Sequence, residues 1–191
     1  SLCEATAKWF EMQLHDGRNR EVLEYLTGRG VSAEMLDGFR LGYAPSDEQA
    51  LRRHLKTEGY SDAQMVEAGV VKMSTKGTEP YAFFRDRVMF PVADARGRIV
   101  AFGGRILPDH MRPPSRGDFK PPKYINSADT PLFHKGRTLY AGQLARLAAK
   151  DHTLIVVEGY MDVMACHQAG FRGAVAPLGT ALTEEQITML W

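Results

Sequence analysis

At 191 residues, with 44% hydrophobic and 25% charged side chains and a net charge of +1, the chain can build one cored domain, or one domain plus part of another, and is neither disordered nor fibrous. No apolar run approaches the ~20 residues that cross a bilayer, and the opening Ser1-Leu2-Cys3-Glu4-Ala5 lacks the basic flank and apolar stretch of a signal peptide, so the expected location is the cytoplasm, with no membrane partner. Cys3 and Cys166 stand alone with no Cys-x-x-Cys pair, which excludes a disulfide framework and a recognisable zinc site.

In chain order, residues 1–70 read as short helices. Leu2, Ala5, Trp9 and Gln13 mark one face of the first; Val22 to Leu26 form a second that stops near Gly28 and Gly30; Ser32 caps a third running to Phe39. Asp47 or Ser46 begins another, ending at Gly59. Ser61-Asp62-Ala63-Gln64 fits a capping box, in which the hydroxyl and the Gln64 side chain each satisfy a free backbone amide, ahead of a helix to about Gly69.

At Val88 the pattern changes to strands. Val88–Val92 and Ile99–Phe102, joined through Asp94-Ala95-Arg96-Gly97, predict an antiparallel hairpin, and Pro91, which has no amide hydrogen for a ladder, predicts an edge position or a bulge. Five of the ten prolines crowd between Leu107 and Pro122, the composition of a loop or local insertion and not of a core element. A helix from Leu139 to Lys150 follows. Next come the apolar strand Leu154–Val157, a helix from Met161 to Ala169 stopped by Gly170, and a short strand within Gly173–Pro177. Thr183-Glu184-Glu185-Gln186 is a second capping box. Strand, helix and strand at this spacing make a right-handed parallel unit.

The net charge conceals an uneven distribution. Residues 1–80 hold 10 Lys/Arg against 13 Asp/Glu, residues 81–140 hold 11 against 5, and residues 141–191 hold 3 against 5. A basic middle third between acidic neighbours can track a polyanion through phosphate contacts, although scattered arginines on a solvated face would give the same count. The cations fall in tight groups: Phe84-Arg85-Asp86-Arg87, Gly103-Gly104-Arg105, Lys123-Tyr124-Ile125-Asn126-Ser127 and His134-Lys135-Gly136-Arg137. An arginine fork takes two phosphate oxygens, lysine offers a point charge, and Tyr124 can stack a base. Any one group alone fits a solvated, hairpin-stabilising role as well.

The stretch Leu154 to Val163 delivers Glu158 from the carboxyl end of an apolar strand onto Gly159 and then a helix, the place where open parallel sheets carry their sites. There a carboxylate stays solvated or binds a cation. By itself the pattern fits equally a strand buried on both faces and closed by a helix-capping acid.

Together these segments resemble the bacterial DnaG-type DNA primases. Tyr25-Leu26-x-x-Arg29-Gly30, Phe39-Arg40-Leu41-Gly42-Tyr43-Ala44-Pro45 and Phe84-Arg85-Asp86-Arg87-Val88-Met89-Phe90-Pro91 follow the order of that family's polymerase core. So do Gly97–Arg105, Lys123-Tyr124-Ile125-Asn126-Ser127-x-x-Thr130, Leu132-Phe133-His134-Lys135-Gly136, Val157–Val163 and Leu178-Gly179-Thr180-Ala181-Leu182. The resemblance spans nearly the whole chain. It implies an α+β amino-terminal portion of the RNA polymerase domain over residues 1–150, with helices in front and a small mixed or antiparallel sheet behind. The start of an α/β Toprim module follows over residues 151–191.

The same resemblance implies the roles. Glu158 is the metal-site and acid–base carboxylate and Asp162 a supporting acid. Lys123 and Lys135 are the foremost contacts to template and transcript, then Arg85, Arg87, Arg105 and Arg137, with Tyr124 and Asn126 contributing position. The reaction implied is attack of a ribonucleotide 3′-hydroxyl on a ribonucleoside triphosphate, laying an RNA primer on single-stranded DNA, with magnesium (or manganese) gathering the phosphates. The parent is expected to carry zinc in a separate amino-terminal domain and to bind the replicative helicase through a region outside these residues. The remaining metal ligands, an Asp and an Asp-x-Asp, are expected beyond Trp191, so that the fragment binds nucleic acid without completing the metal site.

Two other classes fit parts of this pattern. Another Toprim enzyme, a topoisomerase or a nuclease, would share only the Glu158 segment and leave the basic groups coincidental; a non-catalytic single-stranded-DNA-binding module would use the basic groups and leave Glu158 structural. A phosphate-loop hydrolase is excluded by the lack of Gly-x-x-x-x-Gly-Lys-Ser/Thr, and nothing supports dinucleotide binding.

Overall fold

The computed structural model of the chain describes residues 1–77 and 79–190. Ser1 opens α1 (Leu2–His15) by accepting from the Glu4 amide. The helix buries Cys3, Thr6, Ala7, Trp9, Phe10 and Leu14. Trp9 is buried as the Leu2–Ala5–Trp9–Gln13 line predicts, while the rest of the stripe lies one position on, because the sheet draws Phe10 inward. Its ring meets Phe102 edge-on at 5.4 Å, and its Cβ lies 2.5 Å from where a Cβ on Gly42 would stand.

The helices α2 (Arg20–Gly28) and α3 (Ala33–Gly38) are separated by Gly30 at φ +83° and by Ser32, whose hydroxyl accepts from the Met35 amide. β1 (Gly42–Ala44) follows. α4 (Ala50–Thr57) begins later than the acid at Asp47 suggested, because that carboxylate takes the Gln49 amide in a turn ahead of the helix. α5 (Asp62–Glu67) opens on the reciprocal Ser61–Gln64 box, as expected. β2 (Val71–Lys72) and β3 (Tyr81–Ala82) form a small antiparallel pair.

The central element is a four-stranded antiparallel sheet in which β4 (Arg87–Ala93) and β5 (Ile99–Ile106) lie between β1 and β6 (Tyr124–Asn126), in the order β1-β4-β5-β6. Pro91 therefore sits in an interior strand. The Phe102 amide and carbonyl both turn toward Ser127, so Pro91, opposite Phe102, has its nitrogen facing away from β5, past the end of β1 at Gly42. No ladder bond is lost there, and a register shift follows at Val92/Ala93.

The sheet separates two cores. On one side Met89 and Phe102 pack with Phe10, Leu51, Leu55 and Met65 from the helical front. On the other, Val88, Phe90, Val92 and Ala101 pack with Tyr160, Val163 and Met164. Leu107, expected within a peripheral loop, belongs to this second core at 1% exposure.

The chain continues through α6 (Gly142–Ala148), β7 (Ile155–Val156), α7 (Tyr160–Gln168), β8 (Ala174–Val175) and α8 (Glu184–Leu190), with β7 and β8 parallel. α6 is shorter than the Leu139–Lys150 span expected, since Ala141 takes a left-handed backbone at its start. The apolar strand before Glu158 is not buried on both faces: Leu154 and Val156 are about two-fifths exposed at 41% and 42%. The alternate residues Ile155 and Val157 are partly covered, the pattern of a strand with one packed face. α7 is fastened to the front by Gln168, which donates to the Gly30 carbonyl and accepts from the Ser32 amide. Thr183 and Gln186 cap α8 reciprocally, and the buried Gln186 amide also donates to the carbonyls of Lys135 and Thr138.

Candidate active site

Glu158 emerges where β7 ends. The Val157 amide makes the last strand bond, to the Val175 carbonyl at 2.9 Å, and Gly159 is extended before α7 begins. The Glu158 carboxylate is exposed and, among the described residues, holds no hydrogen-bond or ionic partner. Asp162 lies in the first turn of α7, with Oδ2 3.5 Å from the Cβ position of Gly159. These two acids are offered at a helix start, and no group of three metal-ligating side chains forms among the described residues. Two carboxylates suit magnesium or manganese, hard cations that keep much of their water and take one or two such ligands.

Tyr160, one residue on from Gly159, ties this turn to the sheet. Its ring stacks on Phe90 at 4.8 Å and meets Tyr140 edge-on at 4.6 Å, and its hydroxyl donates to the Asn126 side-chain carbonyl. Burial, with Tyr124 beside it, raises its phenol well above the ordinary tyrosine value. The ring occupies the space over Gly103, where an added Cβ would lie 2.1 Å from the phenol oxygen. Asn126 reaches the other way too: its Nδ2 lies 2.6 Å from the Cβ position of Gly179, a residue at φ +74°. Sequence reasoning gave Tyr160 no role. The signal was the glycine pair within β5, since glycine inside a strand marks a close approach.

On the same face of the sheet, Arg105 pairs across the strands with Tyr124. Its Nη1 donates to the Tyr124 hydroxyl at 3.1 Å, with the guanidinium 5.5 Å from the ring centroid; the Lys123 ammonium stands 5.9 Å from that centroid. Arg105, Tyr124, Asn126 and Tyr160 are thus one connected group joining the basic segment to the turn that carries Glu158. Lys135 lies in a short turn before α6, its amide bonded to Asp129 and its ammonium without an ionic partner among the described residues.

Arg105 is itself buried at 8% exposure, engaged with the Tyr124 ring, and three further expected contacts also sit differently. Arg87 is 4% exposed and faces the opposite core, where its guanidinium donates to the carbonyls of Pro122, Gly104 and Lys123. Burial lowers its pKa to about 10. It is not presented to a phosphate, because the pleat turns it under Gly104. Arg85 pairs with Glu48 at 2.8 Å beside the Tyr81 ring, and Arg137 with Glu185 at 2.7 Å. Both pairs are about half exposed, so these arginines are shared with carboxylates at the surface.

Comparison with known proteins gives the context. The family described as DNA primase catalytic core, N-terminal domain, matches residues 9–146, and the Toprim domain matches residues 152–191. The chain is 43% identical to a DNA primase of Pseudomonas putida, over all of this chain and 28% of that protein. A DNA primase domain from Pseudomonas aeruginosa is 45% identical with a TM-score of 0.83, covering 99% of this chain and 56% of the other. The RNA polymerase domain of Mycobacterium tuberculosis primase, solved with a double-stranded DNA oligomer bearing a 6-nucleotide overhang, is 34% identical with a TM-score of 0.86 over the same shares. The chain therefore spans less than a third of the curated relative and just over half of each solved domain.

Proposed function

The chain belongs to the DNA primase catalytic-core family, and on that premise we propose that it serves in a bacterial DNA primase, a DNA-directed RNA polymerase that lays short RNA primers on single-stranded DNA. Residues 1–150 form the template-handling part and residues 151–191 the start of the Toprim part. The observation that carries this reading is the Asn126–Tyr160 connection, which sets the basic sheet face and the Glu158 turn side by side.

In this reading Lys123 and Lys135 act as point charges on phosphates of template and transcript, and Arg105 holds the Tyr124 ring in place as a stacking surface. Arg85 and Arg137 contribute at the periphery, exchanging their carboxylate partners for phosphate. Arg87 acts indirectly, by holding the backbone from which Lys123 projects. Tyr160 and Asn126 fix the distance between the two parts, since orientation lowers the barrier of a reaction whose partners must meet in line. Glu158, without a partner among the described residues, takes the proton from the attacking 3′-hydroxyl as the new ester bond forms and pyrophosphate leaves, and Asp162 supports it. A divalent cation bound there, magnesium or manganese, supplies neutralisation of the triphosphate's developing charge. The parent's zinc and its contact with the replicative helicase belong to other regions of the protein, which works in the bacterial cytoplasm.

The test is ribonucleotide incorporation on a single-stranded template by a primase containing this chain. Glu158→Gln abolishes synthesis and leaves template affinity unchanged; full synthesis by that variant would remove the catalytic role.

A further inference from the structure

β5 and β6 are antiparallel neighbours, which a turn of about two to five residues can join. Here the connection runs from Leu107 to Lys123. Its two feet are held. Leu107 is buried, with its amide on the Asp86 carbonyl, and Met111 packs on the core. Arg112 donates to the Leu107 carbonyl and the Ser115 hydroxyl and pairs with Asp109. At the far end Arg87 grips the carbonyls of Pro122 and Lys123. Residues 113–120, between the feet, are all exposed.

The tip carries Phe119 at 65% exposure between Arg116 and Lys120, neither of which has an ionic partner among the described residues. Asp118 is the single acid of the tip. Pro113 and Pro114 fix φ where the chain enters the tip, and Pro121 and Pro122 fix it where the chain leaves. An aromatic ring held out in water between two free cations matches a strand of nucleic acid, which offers flat bases between phosphates. The loop ends at Lys123, beside the Tyr124 ring, and so is continuous with the basic face.

We propose that residues 113–120 form a finger at the rim of that face, on which Phe119 stacks against a base of single-stranded nucleic acid while Arg116 and Lys120 hold the flanking phosphates. This rests on the template-binding reading above and adds a contact that the connected group around Tyr160 does not contain.

The experiment is the binding of fluorescently labelled oligo(dT) to the 191-residue chain across a salt series. Phe119→Ala weakens binding about tenfold, the scale of one lost base stack, without changing the slope of log affinity against log salt. Arg116→Ala and Lys120→Ala each lower that slope by about 0.7, one phosphate on a single strand. Phe119→Trp retains affinity, and its indole fluorescence is quenched by the oligonucleotide. Because Phe119 is exposed, none of these changes threatens the fold. If Phe119→Ala binds as the wild type does while Lys123→Ala is weakened, the finger is refuted and the basic face stands. If the wild-type chain does not bind oligo(dT) at all, both fall.

Discussion

The Tyr160 hydroxyl donates to the side-chain carbonyl of Asn126, and this bond crosses from the first turn of α7 to the edge strand of the four-stranded sheet. Tyr160 directly follows the Glu158-Gly159 turn, while Asn126 is two residues from Tyr124, the ring flanked by Arg105 and Lys123. The carboxylate turn and the basic face are therefore positioned by the same pair of side chains.

Tyr160→Phe removes the donor but keeps the ring, leaving the Asn126 carbonyl without its partner. Chemical denaturation should show a loss of ~1–3 kcal/mol. Gly103→Ala should cost more, because its Cβ would lie 2.1 Å from the phenol oxygen and force the ring out of its stack on Phe90. In a Tyr160→Ala background the cost of Gly103→Ala should largely vanish, so a double-mutant cycle reads their coupling directly. Additive costs would show that the two sites do not press on one another.

Arg87→Met should separate scaffold from nucleic-acid contact. Three carbonyls lose their donor and the loop foot at Pro122–Lys123 loses its anchor, which should cost ~1–3 kcal/mol in thermal or urea unfolding. In a Lys123→Ala background, adding Arg87→Met should leave the salt slope of single-stranded DNA binding where it was, since this guanidinium meets no phosphate and acts through the backbone that carries Lys123. A drop in that slope would return Arg87 to the binding surface.

Asp62 takes two hydrogen bonds from Arg52 and lies 3.2 Å from the Lys56 ammonium; these hydrogen bonds hold its carboxyl down to about 2. An unfolded aspartate titrates near ~3.9. The folded pKa is the lower one, so the pair's stabilisation is complete above about pH 4 and is lost as the pH falls from there toward 2. Solvent screening keeps it below ~1 kcal/mol. Unfolding free energy followed through that window should fall in the wild type and fall less in Asp62→Asn.

Local chemistry made much of this fold legible. Ser61 with Gln64, and Thr183 with Gln186, form the reciprocal caps their spacing predicts, and Gly30 and Gly170 turn the chain with positive φ beyond the ends of α2 and α7. The hairpin of β4 and β5 followed from two apolar runs with a Gly97 turn between them. What stayed hidden depended on neighbours remote in sequence. Nothing near Arg87 distinguishes it from Arg85, yet one lies under Gly104 and the other beside Glu48. The one-position offset of the α1 stripe is set by Phe102 and Gly42. The half-exposure of β7 depends on what packs against each of its faces, which the apolar run Leu154–Val157 does not encode. At the site, the Glu158 turn and the basic groups were visible as motifs. The Tyr160–Asn126 bond between them is a tertiary contact with no local signature beyond the glycines it requires.

The proposed function rests above all on single-stranded DNA being held by phosphate contacts from Lys123, on the basic face beside the Glu158 turn, and from Lys135, in the short turn before α6. Its most direct test is the affinity of the chain for oligo(dT) from low to moderate salt, for the wild type, Lys123→Ala and Lys135→Ala. Log affinity should fall linearly with log salt in the wild type, and each substitution should weaken binding and lower the slope by about 0.7. A slope unchanged by both substitutions would contradict the claim.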